Sequence, residues 1–192
     1  MSATHAKPVQ FSMVRFLLIF VVLITVLFAA ELTAPVQQYF VLPWTEMLTK
    51  TAASLLQWAD PTVISRGKVL ATARGTFAIS VEAGCNGIEA LIILVAAMLA
   101  FPASWRHKIG GILLGAIAVQ ALNLVRVISL FYIGQWSMPV FHWMHLYAWQ
   151  ALIMLDVLFV WILWIRAMAK NPPSAIADSD VREHATAPNH AG

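Results

Sequence analysis

The 192-residue chain is 60% hydrophobic and only 11% charged, against roughly 25% charged usage in soluble domains. Its formal net charge is +3, and the basic residues do not gather into the clustered face that nucleic-acid binding requires. Little of the chain remains for a soluble domain. The composition points to an all-α polytopic membrane protein, a single membrane-embedded domain over residues 1–170.

A hydrocarbon core about 30 Å thick needs about 20 mainly apolar residues per helical span. Four windows qualify: residues 14–34, 84–101, 109–133 and 146–165. They predict a bundle of four transmembrane helices. Lys7 and Arg15 flank the first run, which is longer than the roughly 7–15 residues of a signal-peptide core, so it reads as an uncleaved span. Residues 36–82 follow as an outer segment. There Trp44, Met47, Leu48, Leu55 and Trp58 recur at helical spacing opposite Thr45, Lys50 and Gln57, the pattern of a helix lying in the interface with Trp at headgroup depth. Arg66-Gly67 and Arg74-Gly75 are turn-like. From Thr76 to Glu82 the residues alternate, with Phe77, Ile79 and Val81 on one face; period two predicts a strand, half of a small β-hairpin, ending at Ala83-Gly84.

The loop 102–108, carrying Arg106, His107 and Lys108 between the second and third windows, sets the orientation. By the positive-inside rule it is cytoplasmic, as are both termini. Gly111 and Gly115 form a small-xxx-small face suited to helix packing. The polar tail, residues 171–192, with Pro172, Pro173, Asp178 and Asp180, is expected to be a disordered cytoplasmic extension. There is no internal repeat.

Ionisable groups within spans cost at least about 2.5 kcal/mol near a helix centre, so Glu89, Arg126 and Asp156 each ask for an explanation. In the proposed topology Cys85 opens the second span at its outer end, Arg126 lies in the outer part of the third, and His145 opens the fourth. A thiol, a guanidinium and an imidazole thus converge at one membrane depth. Glu89 is one turn below Cys85 on the same helical face, Asn123 one turn from Arg126, and Trp149 and Asp156 share a face with His145.

That set suits acyl transfer. A thiolate is the reactive form of cysteine and needs a neighbouring cation or base; His145 can move protons both ways near neutral pH; Arg126 offers fixed donors to a developing oxyanion. Glu89 or Asn123 would hold the guanidinium. The plainer readings are a small buried hydrophobe for Cys85, a snorkelling side chain for Arg126, and interfacial polarity for either His145 or its rival His142. Asp156 is expected only to knit helices. The sole cysteine has no partner for an internal disulfide, and the absence of zinc, Walker A and G-x-S-x-G signatures argues against metal or nucleotide cofactors.

At these residues the chain resembles a known family. The blocks Ala83-Gly84-Cys85-Asn86-Gly87-Ile88-Glu89, Asn123-Leu124-Val125-Arg126-Val127 and His145-Leu146-Tyr147-Ala148-Trp149 are similar to three signature blocks of the exosortase/archaeosortase family, with the small exosortase H branch most similar. The resemblance covers about residues 77–164. It implies a catalytic set of Cys85, Arg126 and His145, with Asn86, Glu89, Asn123 and Trp149 in support; many members carry Gly where Trp149 stands. Most exosortases have about eight spans, and this chain resembles a reduced core. The implied activity is that of a cysteine peptidase or transpeptidase at the outer face of a bacterial inner membrane. Its partners would be exported proteins ending in a motif, a transmembrane helix and a basic tail, with an I-P-T-L-like motif for the H branch, and an unidentified acceptor. Two other readings remain open from the residues themselves: a non-enzymatic membrane subunit such as a transporter component, and a thiol acyltransferase using a lipid donor.

Overall fold

The computed structural model describes residues 13–170; the expectation of a disordered tail at 171–192 falls outside them. The first apolar run forms α1 (Met13–Glu31), with no charge between Arg15 and Glu31 to interrupt it. A short α2 (Ala34–Val36) leads through a π-helical turn (Gln37–Val41) into α3 (Leu42–Leu56). Pro43 sits in the first turn of α3. Proline has no N–H to return to the carbonyl four residues earlier, and the ladder widens where that bond is missing.

The helix expected in the outer segment is therefore present, but it turns a different face inward. Thr45, Thr49, Leu48, Ala52 and Leu56 are buried, while Met47, Leu55 and Trp58 are exposed. Burying two threonines is tolerable because each hydroxyl donates to the carbonyl one turn back, Thr45 to Val41 and Thr49 to Thr45.

The expected hairpin becomes a three-stranded antiparallel sheet of β1 (Val63–Arg66), β2 (Val69–Thr72) and β3 (Ala78–Ser80), in that order. The alternating stretch at 76–82 supplies only the third strand. That strand pairs with β2 across the turn at Gly75, φ +70°, as half of the expected hairpin, and β1–β2 adds a second hairpin turned at Gly67 with φ +57°. Its strands are four residues long, too short for a period-two pattern to stand out. Val63 and Leu70 are fully buried against Leu48, Ala52 and Leu56 of α3 and Val127 and Phe131 of the long helix that follows α4.

The second expected span is shortened. Residues 84–87 form a turn with Gly84 and Gly87 at φ +81° and +77°, so α4 runs only from Ile88 to Ala100. At about 1.5 Å per residue its 13 residues cover about 20 Å, short of a core about 30 Å thick. The helix α5 (Trp105–Trp136) is longer than its apolar window. After it, α6 (Met138–Trp143), a second π-helical turn (Met144–Ala148) and α7 (Trp149–Lys170) form one continuous run. Among the described residues, three helical runs are long and apolar enough to cross a membrane: Met13–Glu31, Trp105–Trp136 and Met138–Ala169. The chain is thus a mostly helical membrane protein with a small sheet, and α4 is a shorter apolar helix.

That short helix is the hub, packing against α1, α5 and α7. The face of α5 that meets its neighbours is the glycine face anticipated from sequence. A Cβ at Gly111 would collide with the indole of Trp164, and one at Gly115 would lie 2.7 Å from Leu94 and 3.0 Å from Val160. The first turn of α5, which the sequence suggested as loop and which bears Arg106, closes the far end, where Trp164 Nε1 donates to the His107 carbonyl at 2.9 Å. The sheet and the turn carrying Cys85 lie at the opposite end.

Candidate active site

Cys85 sits in the turn before α4, outside the long helical runs. The turn is held from every side. The Cys85 amide donates to the Glu82 carbonyl at 2.9 Å. The Glu82 carboxyl accepts from Lys68 and Ser80, and these bonds hold it below the usual glutamate range. Asn86, fully buried, accepts from the Ile88 amide through Oδ1 and donates to Thr45 Oγ1 at 3.1 Å through Nδ2. Trp44 Nε1 donates to the Asn86 carbonyl. The inward turn of α3 thus fastens the residue that follows the thiol.

Arg126 reaches this turn from α5. It is only 3% exposed, and its two terminal nitrogens do different things: Nη1 donates to the Gly84 carbonyl at 3.1 Å, while Nη2 stands 3.6 Å from Cys85 Sγ. From the π-helical turn, His145 brings Nδ1 to 3.7 Å and Nε2 to 3.8 Å of the same sulfur. Wide π turns inside helices are frequent at functional sites, and this one aims the imidazole at the thiol. Phe141 stacks on the imidazole with ring centroids 5.7 Å apart and planes 6° from parallel. His142 is exposed and packs edge-on to Phe141. Burial pushes the Cys85 thiol up from its ordinary value, and the Arg126 charge works against that rise.

The expected clamp on the guanidinium is absent. Among the described residues Arg126 forms no ion pair with Glu89. Glu89 instead accepts the Gly84 amide, so Glu89 and Arg126 grip the two ends of one glycine from opposite sides. Asn123 does not bind Arg126 either; both its polar atoms are buried without a partner, as are those of Gln120, Arg126 Nε and Trp149 Nε1. Asp156 likewise knits nothing through Oδ2, which is buried with no hydrogen bond. No group of three or more His, Cys, Asp or Glu positioned to hold a metal occurs among the described residues.

Sequence reasoning missed Glu31, a carboxyl 5% exposed at the end of α1 that interacts electrostatically with Glu89. It lies inside the 14–34 window and was readable as a further intramembrane acid. Gln120 and Phe141 carried no such signal.

Gly87 admits a direct check. Its φ of +77° and a Cβ position 2.6 Å from Gln120 Nε2 and 3.1 Å from Asn123 Nδ2 both oppose any side chain. Gly87→Ala is expected to cost about 1–3 kcal/mol of stability. It should also disturb the neighbouring turn, read as a lower midpoint of thermal unfolding in detergent together with an altered rate of Cys85 alkylation.

A buried arginine and a histidine thus flank the thiol at one end of an apolar helical bundle. A family model described as transmembrane exosortase (Exosortase_EpsH) matches residues 9–166. The chain belongs to the transmembrane exosortase family. Neither the curated proteins nor the solved structures gave a match.

Proposed function

We propose that the protein is a membrane cysteine peptidase or transpeptidase of the exosortase H branch. In this reading it cleaves C-terminal sorting signals of exported proteins at the periplasmic face of a bacterial inner membrane. The observation that carries the proposal is the placement of one sulfur between Arg126 Nη2 and both ring nitrogens of His145. Both termini and the Arg106 end of α5 are cytoplasmic in this account, which puts the thiol outside, and α4 serves as a fourth, short membrane helix.

The cycle balances with these groups alone. Cys85 Sγ attacks the scissile carbonyl carbon and its proton passes to His145. A C–S bond forms, and the negative charge that develops on the carbonyl oxygen is met by Arg126, whose guanidinium is already fixed on Gly84. The C–N bond then breaks as His145 returns the proton to the departing amine. The thioester left on Cys85 is resolved by an acceptor nucleophile or by water, which breaks the C–S bond and restores the thiol. Asn86 and Glu89 position the turn in this scheme, while Asn123 and Trp149 line the buried polar region beneath it. Substrates are exported chains ending in an I-P-T-L-like motif, a transmembrane helix and a basic tail.

Mass spectrometry of such a chain co-expressed with the protein tests the reading. The expected result is a new C-terminus at the motif, bearing an acceptor or a free carboxylate. A substrate that keeps its helix and tail in the presence of the wild-type protein, with transfer of a lipid acyl group to the partner instead, would assign the thiol to acyl transfer from a lipid donor.

A further inference from the structure

The strand that leads into the thiol turn has one side unused. Thr72 donates to the Phe77 carbonyl at 3.0 Å and Val81 to the Lys68 carbonyl at 2.9 Å, with Ile79 opposite Leu70 between them. In an antiparallel pair such bonded residues alternate with residues whose main-chain groups face the other way. Ala78 and Ser80 therefore turn their N–H and C=O groups away from β2. β3 is an edge strand, and both residues are exposed. Among the described residues nothing hydrogen-bonds their main chain.

The opposite edge is treated differently. There the outward-facing Val63 of β1 is capped by the chain leaving α3: its N–H donates to the Asp60 carbonyl at 3.1 Å, and its C=O accepts from Gln57 Nε2 at 2.8 Å. Edges are also commonly guarded by proline or lysine, and Ala78 and Ser80 are small and uncharged. The open edge runs directly into the site, because the Glu82 carbonyl accepts the Cys85 amide at 2.9 Å.

We infer that this edge binds the main chain of the substrate segment preceding the scissile bond, as a parallel fourth strand of the sheet. The occupant's identity rests on the cleavage reading above. Free N–H and C=O groups along a strand are matched by an extended backbone, and lipid acyl chains have nothing to offer them. The direction follows from α5. Phe77 covers Gly134 and packs edge-on to Phe131 with ring centroids 5.6 Å apart, whereas Cys85 stands beside Arg126. Gly134 is about two turns of α5 beyond Arg126, or about 12 Å. In the proposed topology β3 thus descends toward the membrane from its N-terminal to its C-terminal end. An exported chain whose membrane helix follows the cleaved bond comes down to the thiol in the same sense, which makes the pairing parallel.

Disulfide trapping tests this. The probe is an exported chain of the kind used for mass spectrometry above, carrying a single cysteine at successive positions ahead of the cleaved bond. Its partner is the full chain with Cys85→Ala and either Ala78→Cys or Ser80→Cys, oxidised in native membranes. Crosslinks are expected at alternate probe positions. Moving the protein's cysteine from 78 to 80 should shift the best probe position two residues nearer the cleaved bond. A second measurement is energy transfer between probe and Cys85→Ala protein in nanodiscs. Adding Ser80→Pro removes an N–H that the sheet does not use, at an edge position where proline is tolerated. It should weaken association about two- to tenfold, the worth of one main-chain hydrogen bond. Ser80→Ala, which loses only the hydroxyl bond to Glu82, should bind as before. The crosslinks need no proline, so they decide the matter if Ser80→Pro misfolds. The expected pattern without processing by the wild-type protein would uphold the edge while the cleavage reading fails. No crosslink at 78 or 80, a shift in the reverse direction, homodimers in place of probe adducts, or unchanged binding by a folded Ser80→Pro would each overturn the inference.

Discussion

Cys85→Ala is expected to abolish processing of the sorting signal while the protein still accumulates in the membrane. The chain has no other cysteine, so no second thiol can take over. The thiol is half-buried and packs beside the core formed by α3, the sheet and α5, and a single sulfur lost from such a place costs on the order of 1 kcal/mol. The bonds that build the turn run through the Cys85 amide, Asn86 and Gly84 and not through Sγ, so its shape survives the substitution. Cys85→Ser retains a trace at most, because a serine hydroxyl at its ordinary acidity is a far weaker nucleophile. Quantitative immunoblotting of the membrane fraction beside substrate mass spectra separates loss of chemistry from loss of protein. Full processing by the Ala variant would exclude a covalent role for Cys85.

Arg126→Lys should reduce turnover by about 10²–10³, the cost of losing one well-placed oxyanion donor in other enzymes. Lysine keeps the charge but not the planar fork. In the native site one nitrogen holds the Gly84 carbonyl at 3.1 Å and the other stands 3.6 Å from the sulfur. A single ammonium on a flexible stem cannot hold both positions at once. If Arg126 served only to neutralise Glu89, lysine would be tolerated, and Arg126→Met with Glu89→Gln would recover the activity lost by either change. No such recovery is expected, since Glu89 is bonded to the Gly84 amide and not to the guanidinium. A second readout follows from the thiol. Burial raises its pKa and Arg126 counters that, so Arg126→Met should slow alkylation of Cys85 at a fixed pH slightly above neutrality. Unchanged turnover in Arg126→Lys would reduce the arginine to a structural residue and leave Cys85 and His145 as a dyad.

Much of the site was legible because intramembrane polarity is rare and expensive. Cys85, Arg126 and His145 stood out as groups that a positive-inside topology brings to one level, and their side chains do meet. What stayed hidden depends on backbone geometry. Residues 84–101 are apolar enough to read as one span, yet two left-handed glycines take the first four residues into a turn. That shortening sets the thiol ahead of the helix, where Asn86 and Glu89 can grip its neighbours. Likewise, the burial of Thr45 and Thr49 ran against the polarity pattern of α3 because their hydroxyls are satisfied within the helix itself. Hydropathy cannot register that. The strands β1 and β2 were too short for periodicity, although the turn at Gly67 between them was visible. Glu31 was visible as well, and its place beside Glu89 came only from the packing of α1 on α4.

The central claim is that a substrate acyl group is carried on Cys85. Acid-quenched intact-protein mass spectrometry, taken while wild-type protein turns over a substrate bearing the motif, measures this directly. The account predicts an added mass equal to the substrate segment preceding the cleavage point, localised by peptide mapping to Cys85 and released by neutral hydroxylamine as a thioester should be. Cleaved substrate accumulating with no adduct on Cys85 at any time, or with the adduct on another residue, would contradict it.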